Sequence, residues 1–177
     1  MFQCRPSFDA ALEACETRLL DAQPDRPLPP DPATVLTDLG ENHPRTADLQ
    51  ALATTIDLAP GEMPVRAADT SRDIFFLVSG RLGVFLSDPI GPPVAVRAIG
   101  PGAIVGEVAS LLGQPRGADV IGQAPARVLC LSEATIQALR PNAPDLSALL
   151  ALILARSLAV KVTQTNALSF RSQARQG

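Results

Sequence analysis

The hydrophobic and polar positions of this chain divide it into a helical start, a central β-region and a helical end. Between Ile56 and Leu131, short runs of Val, Ile, Leu and Phe alternate with Gly and Pro. That pattern is typical of many short strands joined by turns, and residues 89–93 are expected to be a loop between two of them. We therefore predict an α+β fold, in which an antiparallel β jelly-roll barrel is flanked by N- and C-terminal helices.

Before the strands, apolar residues at helical spacing predict three helices. The first, over residues 7–20, is amphipathic, and Ser7 is its candidate N-cap. Five prolines between residues 24 and 32 then indicate an extended linker. Two short helices are expected at residues 34–39 and 44–53. The predicted organisation is an N-terminal helix (1–22), a Pro-rich linker (23–33), one domain (34–168) and a flexible tail (169–177).

The region after the strands is expected to form two more helices. The last strand is predicted at residues 126–131, and Ser132 is a candidate N-cap for the helix that follows. Pro141 and Pro144 are expected to end that helix. Residues 145–166 predict a longer helix. Seven apolar residues share one face of it: Leu146, Leu149, Leu150, Ile153, Leu154, Leu158 and Val162. Because this face is wider than one barrel contact needs, it is also a candidate homodimer interface.

Charge and composition argue against several kinds of partner. The net charge of −3 and the pI of about 5.1 argue against a nucleic-acid-binding face, which would need a basic patch. The apolar stretch 146–155 is expected to be too short to insert into a membrane. The three cysteines show no metal-ligand spacing, and their odd number favours a reducing, cytoplasmic compartment in which each is a small buried side chain.

Residues 102–118 carry the clearest chemistry of the chain. Gly106 allows close approach of backbone to a ligand, and a helical turn that begins at Glu107 offers unpaired backbone N–H groups. Arg116 can present its planar guanidinium to a phosphate. Glu107 would be repelled by the same phosphate, so we expect it to face ligand hydroxyls. A ligand with one phosphate and a ribose hydroxyl fits both halves of the stretch.

This stretch resembles the phosphate-binding cassette of cyclic-nucleotide-binding domains of the cAMP-binding, catabolite-activator-like type. The family's Phe-Gly-Glu-Leu-Ala stands here as residues 105–109, and its Pro-Arg-small-Ala as residues 115–118. The resemblance covers roughly residues 45 to 165. It implies that Glu107 holds the ribose 2′-hydroxyl, that Arg116 holds the cyclic phosphate, and that the last helix covers the base. The ligand-binding residues implied are Val105, Gly106, Glu107, Val108, Ala109, Arg116, Gly117 and Ala118.

Three positions depart from the family pattern. Ala67 or Ala68 replaces the glycine that usually follows the second strand, and Val105 replaces an aromatic residue. Both changes are expected to loosen the barrel. Gly117 lacks the hydroxyl that, in the family, helps to hold guanine. We therefore expect cAMP to be the preferred ligand, with cGMP as the alternative. Arg156, Thr163 and Asn166 are polar candidates for contacts with the base.

The function implied is a non-enzymatic regulatory module that passes ligand binding to an effector protein through its C-terminal helix. No paired catalytic carboxylates, Ser-His-Asp set, metal site or cofactor site is discernible. A DNA-binding regulator is disfavoured because residues 169–177 leave no room for a helix-turn-helix. The alternative is a ligand-free interaction or oligomerisation domain, such as the cytoplasmic part of an anion transporter.

A second resemblance concerns the N-terminal helix. Residues 8–16 resemble the last helix of the STAS domain of sulfate-permease-type transporters, some of which continue through a Pro-rich linker into a cyclic-nucleotide-binding domain. It implies a transporter as the effector and a position at the inner face of the membrane. An ordinary amphipathic helix accounts for these residues equally well.

Overall fold

The computed structural model describes residues 32–40, 43–87 and 92–173. The predicted N-terminal helix with its STAS-like segment, and nearly all of the Pro-rich linker, lie outside these residues. The described chain begins with two short helices, α1 (Pro32–Leu39) and α2 (Thr46–Ala51). They lie close to the predicted ranges 34–39 and 44–53.

Within the described residues, seven strands form two antiparallel sheets. The strands are β1 (Thr54–Leu58), β2 (Ile74–Ser79), β3 (Leu82–Leu86), β4 (Val94–Ile99), β5 (Ile104–Val105), β6 (Asp119–Gly122) and β7 (Ala126–Leu131). One sheet has the order β1-β7-β2-β5 and the other the order β4-β3-β6. Three further helices are α3 (Glu107–Leu112), between β5 and β6, and then α4 (Glu133–Asn142) and α5 (Pro144–Gln173). The predicted α+β class with an antiparallel β-sandwich and flanking helices is confirmed.

Strand β2 is buried on both faces and joins the two hydrophobic cores of the domain. Successive side chains of a strand point to opposite sides, so its alternate residues enter different cores. Ile74, Phe76 and Val78 pack among the helices, whereas Phe75 and Leu77 pack between the two sheets. A continuous apolar run such as Ile-Phe-Phe-Leu-Val is what a strand covered on both faces requires.

Helix α5 packs on the four-stranded sheet through the first half of its predicted apolar face. Five side chains of that face are buried: Leu146, Leu149, Leu150, Ile153 and Leu154. Leu158 is half-buried and Val162 is 58% exposed, so the apolar face continues beyond the residues that the domain itself buries. The reason is that α5 leaves the helical core after Leu154 and runs towards β5, where Lys161 contacts Ile104.

The predicted break at Pro144 is confirmed, whereas the predicted break at Pro141 is wrong. Pro141 lies inside α4, which continues to Asn142, and Pro144 begins α5 at the position where a missing N–H is harmless. Helix α5 continues to Gln173, beyond the expected end at residue 166 and into the range predicted to be the tail. Gly80 lies in the turn between β2 and β3, and because these strands belong to different sheets, the turn is a crossover between the sheets.

One helix within the described residues is long and apolar enough to cross a membrane, judged by length and composition only. It is Pro144–Thr163, with a mean hydropathy of 1.8, and 28% of its most apolar 18-residue window is buried. The expectation that this region is too short to span a bilayer is therefore wrong on length. The packing of Leu146 and Ile153 in the core gives the first half of the helix a partner inside the domain.

The predicted departure at residues 67–68 falls on Ala68, whose backbone is left-handed with φ of 65°. Its N–H donates to the carbonyl of Arg116 at 2.8 Å, so the strained turn is tied to the cassette. A left-handed alanine is less stable than glycine by about 1 kcal/mol.

We expect Ala68→Gly to raise the free energy of unfolding in urea by up to about 1 kcal/mol. The matched control is Ala67→Gly, which relieves no positive φ and should therefore lower the free energy of unfolding. Equal losses in the two variants would contradict the assignment of strain.

Candidate functional site

A cavity of about 370 Å³ lies between the three-stranded sheet, helix α3 and helix α5. Its volume falls in the range of pockets that enclose small ligands. All eight residues predicted to bind ligand line it: Val105, Gly106, Glu107, Val108, Ala109, Arg116, Gly117 and Ala118. The structure therefore brings the two halves of the cassette to one cavity, although they are separated along the chain by α3 and the segment that follows it.

Arg116 is a buried cation held by neutral oxygens. The residue is 5% exposed. Nη1 donates to the carbonyl of Gly106 at 3.1 Å, and Nη2 donates to the carbonyl of Asp73 at 2.6 Å and to Ser71 Oγ at 3.3 Å. Burial lowers the pKa of Arg116, an effect opposed by the charges of Asp73 and Asp69. An arginine nevertheless remains protonated, so the cavity wall carries a positive charge.

Gly106 sets the distance between the cassette backbone and Arg116. Its φ is 92°, and an added Cβ would overlap Nη1 of Arg116 and lie 2.5 Å from the carbonyl oxygen of Asp73. Glycine is therefore required here both for its backbone angle and for the space that it leaves. The guanidinium can lie against the chain only because residue 106 has no side chain.

The first turn of α3 supplies backbone donors beside this guanidinium. The first N–H donated to a carbonyl within this turn is that of Ser110, to Gly106 at 3.1 Å. The amides of Glu107, Val108 and Ala109 come before it, where a helix leaves its N–H groups without an intrahelical acceptor. A guanidinium and helix N-terminal amides on one wall are a suitable arrangement for an anion.

Glu107 is 4% exposed and forms an ion pair with Lys161 of α5. Nζ of Lys161 also donates to the carbonyl of Ile104 at 2.7 Å. Lys161 was missed by sequence reasoning, but two signals pointed to it. It is the only lysine in a chain with 14 arginines, and it follows Leu154 by seven residues and Leu150 by eleven. Both spacings place it on the buried face of the helix, where a cation needs an acidic partner.

The polar residues of α5 proposed for the base do not line the cavity where they are described. The hydroxyl of Thr163 donates to the carbonyl of Ala159 at 2.9 Å, and Arg156 is absent from the cavity wall. The side chain of Asn166 lies outside what the structure describes. Sequence reasoning also missed the sheet residues of the wall, among them Leu86, Arg97 and Ile99. The alternation of residues along β3 and β4 is the signal that could have found them.

Of the three cysteines, Cys130 lies within the residues that the structure describes, whereas Cys4 and Cys15 lie outside them. Burial raises the pKa of the Cys130 thiol to about 11, an effect increased by the nearby charge of Asp73. The side chain is therefore a neutral thiol at physiological pH, and it packs against the core between the sheets.

The sequence matches known proteins, and the family match covers the cavity wall except for Lys161. Residues 55–142 match the family described as the cyclic nucleotide-binding domain. Acetyltransferase Pat of Mycolicibacterium smegmatis (strain ATCC 700084 / mc(2)155) is 36% identical over 84 residues, which are 46% of this chain and 25% of Pat. The chain thus spans about a quarter of the length of the curated relative that it matches.

Solved structures share the fold. A cyclic nucleotide-binding domain from Methylobacillus flagellatus KT superposes with a TM-score of 0.70 at 16% identity, covering 78% of this chain and 83% of that one. The N-terminal domain of a transcriptional regulator from Streptomyces coelicolor A3(2) superposes with a TM-score of 0.58 at 22% identity, covering 77% of this chain and 96% of that one. The regulatory domain of Toxoplasma gondii PKA, crystallised with cAMP, superposes with a TM-score of 0.60 at 19% identity, covering 75% of this chain and 48% of that one. The chain belongs to the cyclic nucleotide-binding domain family.

Proposed function

We propose that this chain is a non-enzymatic regulatory module that binds a cyclic nucleotide, preferentially cAMP, in the cavity between α3, α5 and the three-stranded sheet. The observation that carries the proposal is Arg116, a buried guanidinium whose described hydrogen bonds all go to neutral oxygens. A buried cation of this kind is stabilised by an anion that enters the cavity. The single negative charge of a cyclic phosphate meets that need.

The remaining groups of the cavity account for the rest of such a ligand. The amides at the start of α3 would donate to the cyclic phosphate beside Arg116. Glu107 would accept a hydrogen bond from the ribose 2′-hydroxyl. The base would lie against the apolar wall formed by the sheet, with α5 above it. Binding transmits a signal only if the ligand prefers one position of α5 to another.

Thermal denaturation with and without ligand tests the proposal. At a concentration about 100 times its dissociation constant, a ligand adds about 2.7 kcal/mol to stability, which corresponds to a rise in Tm of about 5–10 °C for a domain of this size. We expect cAMP to produce such a rise and 5′-AMP to produce much less, because 5′-AMP carries an open phosphate. An unchanged Tm with excess cAMP and with excess cGMP would contradict the proposal.

Gly117 provides a test of nucleotide preference. A Cβ added at this residue would meet no atom within 4 Å, so the site has room for a β-carbon. We expect Gly117→Thr to improve the affinity for cGMP relative to cAMP by about tenfold, the worth of one hydrogen bond between the hydroxyl and guanine. Gly117→Ala is the matched control, since it adds the Cβ without the hydroxyl. Equal changes in the two variants, measured by competition binding, would show that the hydroxyl does not set the preference.

The exposed apolar side chains of α5 favour a second role in assembly. Leu152 is 44% exposed and Val160 is 56% exposed, and their spacing of eight residues places them on one side of the helix. We propose that this surface forms a homodimer; the alternative is that it contacts an effector protein, such as a transporter, on the cytoplasmic side. Sedimentation of the purified chain tests the homodimer. A monomer at all concentrations would leave the contact with an effector as the remaining role for this surface.

A further inference from the structure

Lys161 connects the C-terminal helix to the cassette at two points. Its ammonium donates to the carbonyl of Ile104, at the start of β5, and to Oε1 of Glu107, at the start of α3. The Glu107 side chain is 5% exposed and that of Lys161 is 21% exposed. Among the described residues, Lys161 is the α5 residue that lines the cavity. The position of α5 and the orientation of the Glu107 carboxylate are therefore linked through one side chain.

We propose that Lys161 is a positioning residue for ribose recognition, which holds the carboxylate of Glu107 towards the cavity and so couples the ribose hydroxyl to the position of α5. This inference rests on the proposed function. A carboxylate offers about four acceptor sites on its two oxygens, so pairing of Oε1 with Lys161 leaves acceptor capacity for a ligand hydroxyl. A charge as buried as that of Glu107 is unstable without a partner, and its side chain would turn away or bind water if Lys161 were removed.

The compactness of the ammonium group explains why a lysine stands here in a chain that otherwise uses arginine. An ammonium is a point charge with three donors on a flexible stem, whereas a guanidinium is a planar group that needs more room. Lys161 reaches a backbone carbonyl and a carboxylate that lie three residues apart, on either side of Gly106. Arginine at this position would keep the charge, and its longer head would contact the same two oxygens less closely.

The test compares cAMP with 2′-deoxy-cAMP, which lacks the hydroxyl that Glu107 would hold. The quantity measured is the ratio of the two affinities for the full chain, because a general loss of structure or charge weakens both ligands and leaves the ratio unchanged. We expect the wild type to prefer cAMP by about tenfold or more. In Lys161→Met the ratio should fall to near one, and in Lys161→Arg most of it should remain.

Two results would overturn the inference. If Lys161→Met weakens both ligands by the same factor, Lys161 has a structural role only. If Lys161→Met binds cAMP more tightly than the wild type does, Lys161 competes with the ribose hydroxyl for the carboxylate of Glu107. Failure of the proposed function looks different, because the wild type itself would then bind neither nucleotide and the ribose role of Lys161 would fall with it.

The ion pair is also tested without any ligand. We expect Lys161→Met to lower the Tm by about 5 °C, because it leaves the buried carboxylate unpaired. Adding Glu107→Gln to Lys161→Met should recover part of that loss, because the unpaired charge is gone. If the losses of the two single variants simply add in the double variant, the contact between Lys161 and Glu107 is not a stabilising pair.

Discussion

Replacement of Arg116 with alanine is expected to weaken cAMP binding by about 100-fold or more, since a charge-assisted contact to phosphate contributes up to about 3 kcal/mol. The same substitution removes donors from the carbonyls of Gly106 and Asp73. It should therefore also lower the free energy of unfolding by about 1–3 kcal/mol. Calorimetric titration measures the affinity, and circular dichroism at the same temperature shows that the variant is folded.

Two further variants separate the phosphate contact from general effects of removing an arginine. Arg127→Ala removes an exposed ion pair with Asp57, and it should change stability little and leave affinity unchanged, because solvent screens an exposed pair. Arg116→Lys keeps a charge but loses the planar fork, so we expect an affinity between those of wild type and Arg116→Ala. A folded Arg116→Ala variant that binds cAMP as tightly as the wild type would show that Arg116 does not hold the phosphate.

The second large effect is expected from Gly106→Ala, which should abolish binding and lower the free energy of unfolding by about 2 kcal/mol or more. The added methyl group would overlap Nη1 of Arg116, so the guanidinium must leave its place in the cavity wall. The left-handed backbone at φ of 92° adds strain for any side chain. Urea denaturation and cAMP titration measure the two effects separately.

Gly102→Ala is the matched control for this variant. Its φ of 86° imposes the same kind of strain, but a Cβ there would meet nothing within 4 Å. We expect it to lose about 1–2 kcal/mol of stability and to retain cAMP binding. If both alanine variants retain binding, the close approach of Gly106 to Arg116 is not needed by the site.

That the two halves of the cassette line one cavity could be predicted from the sequence, because the residues concerned are close together in the chain. Gly106, Glu107 and Arg116 lie within eleven residues of one another. The predicted strand at residues 126–131 and the cap at Ser132 were equally local, and the structure shows Ser132 accepting the N–H of Thr135 at 3.1 Å. Local patterns of hydrogen bonding and periodicity are what a single sequence records best.

The parts that could not be predicted depend on contacts between distant residues. The pairing of Lys161 with Glu107 joins positions 54 residues apart. The crossover at Gly80 depends on which strands pair, and an apolar run such as β2 does not specify its neighbours. The end of the packed face of α5 depends on where the sheet beneath it stops, so the exposure of Val162 could not be read from helical periodicity alone.

The most direct measurement is a calorimetric titration of the purified full chain with cAMP, followed by cGMP and 5′-AMP. We expect one cAMP to bind per chain with a dissociation constant in the micromolar range or below, cGMP to bind more weakly, and 5′-AMP to bind little or not at all. Absence of cAMP binding at high protein concentration, together with an unchanged Tm in excess cAMP, would contradict this expectation. The cavity around Arg116 would then be inherited architecture in a domain that acts through protein contacts.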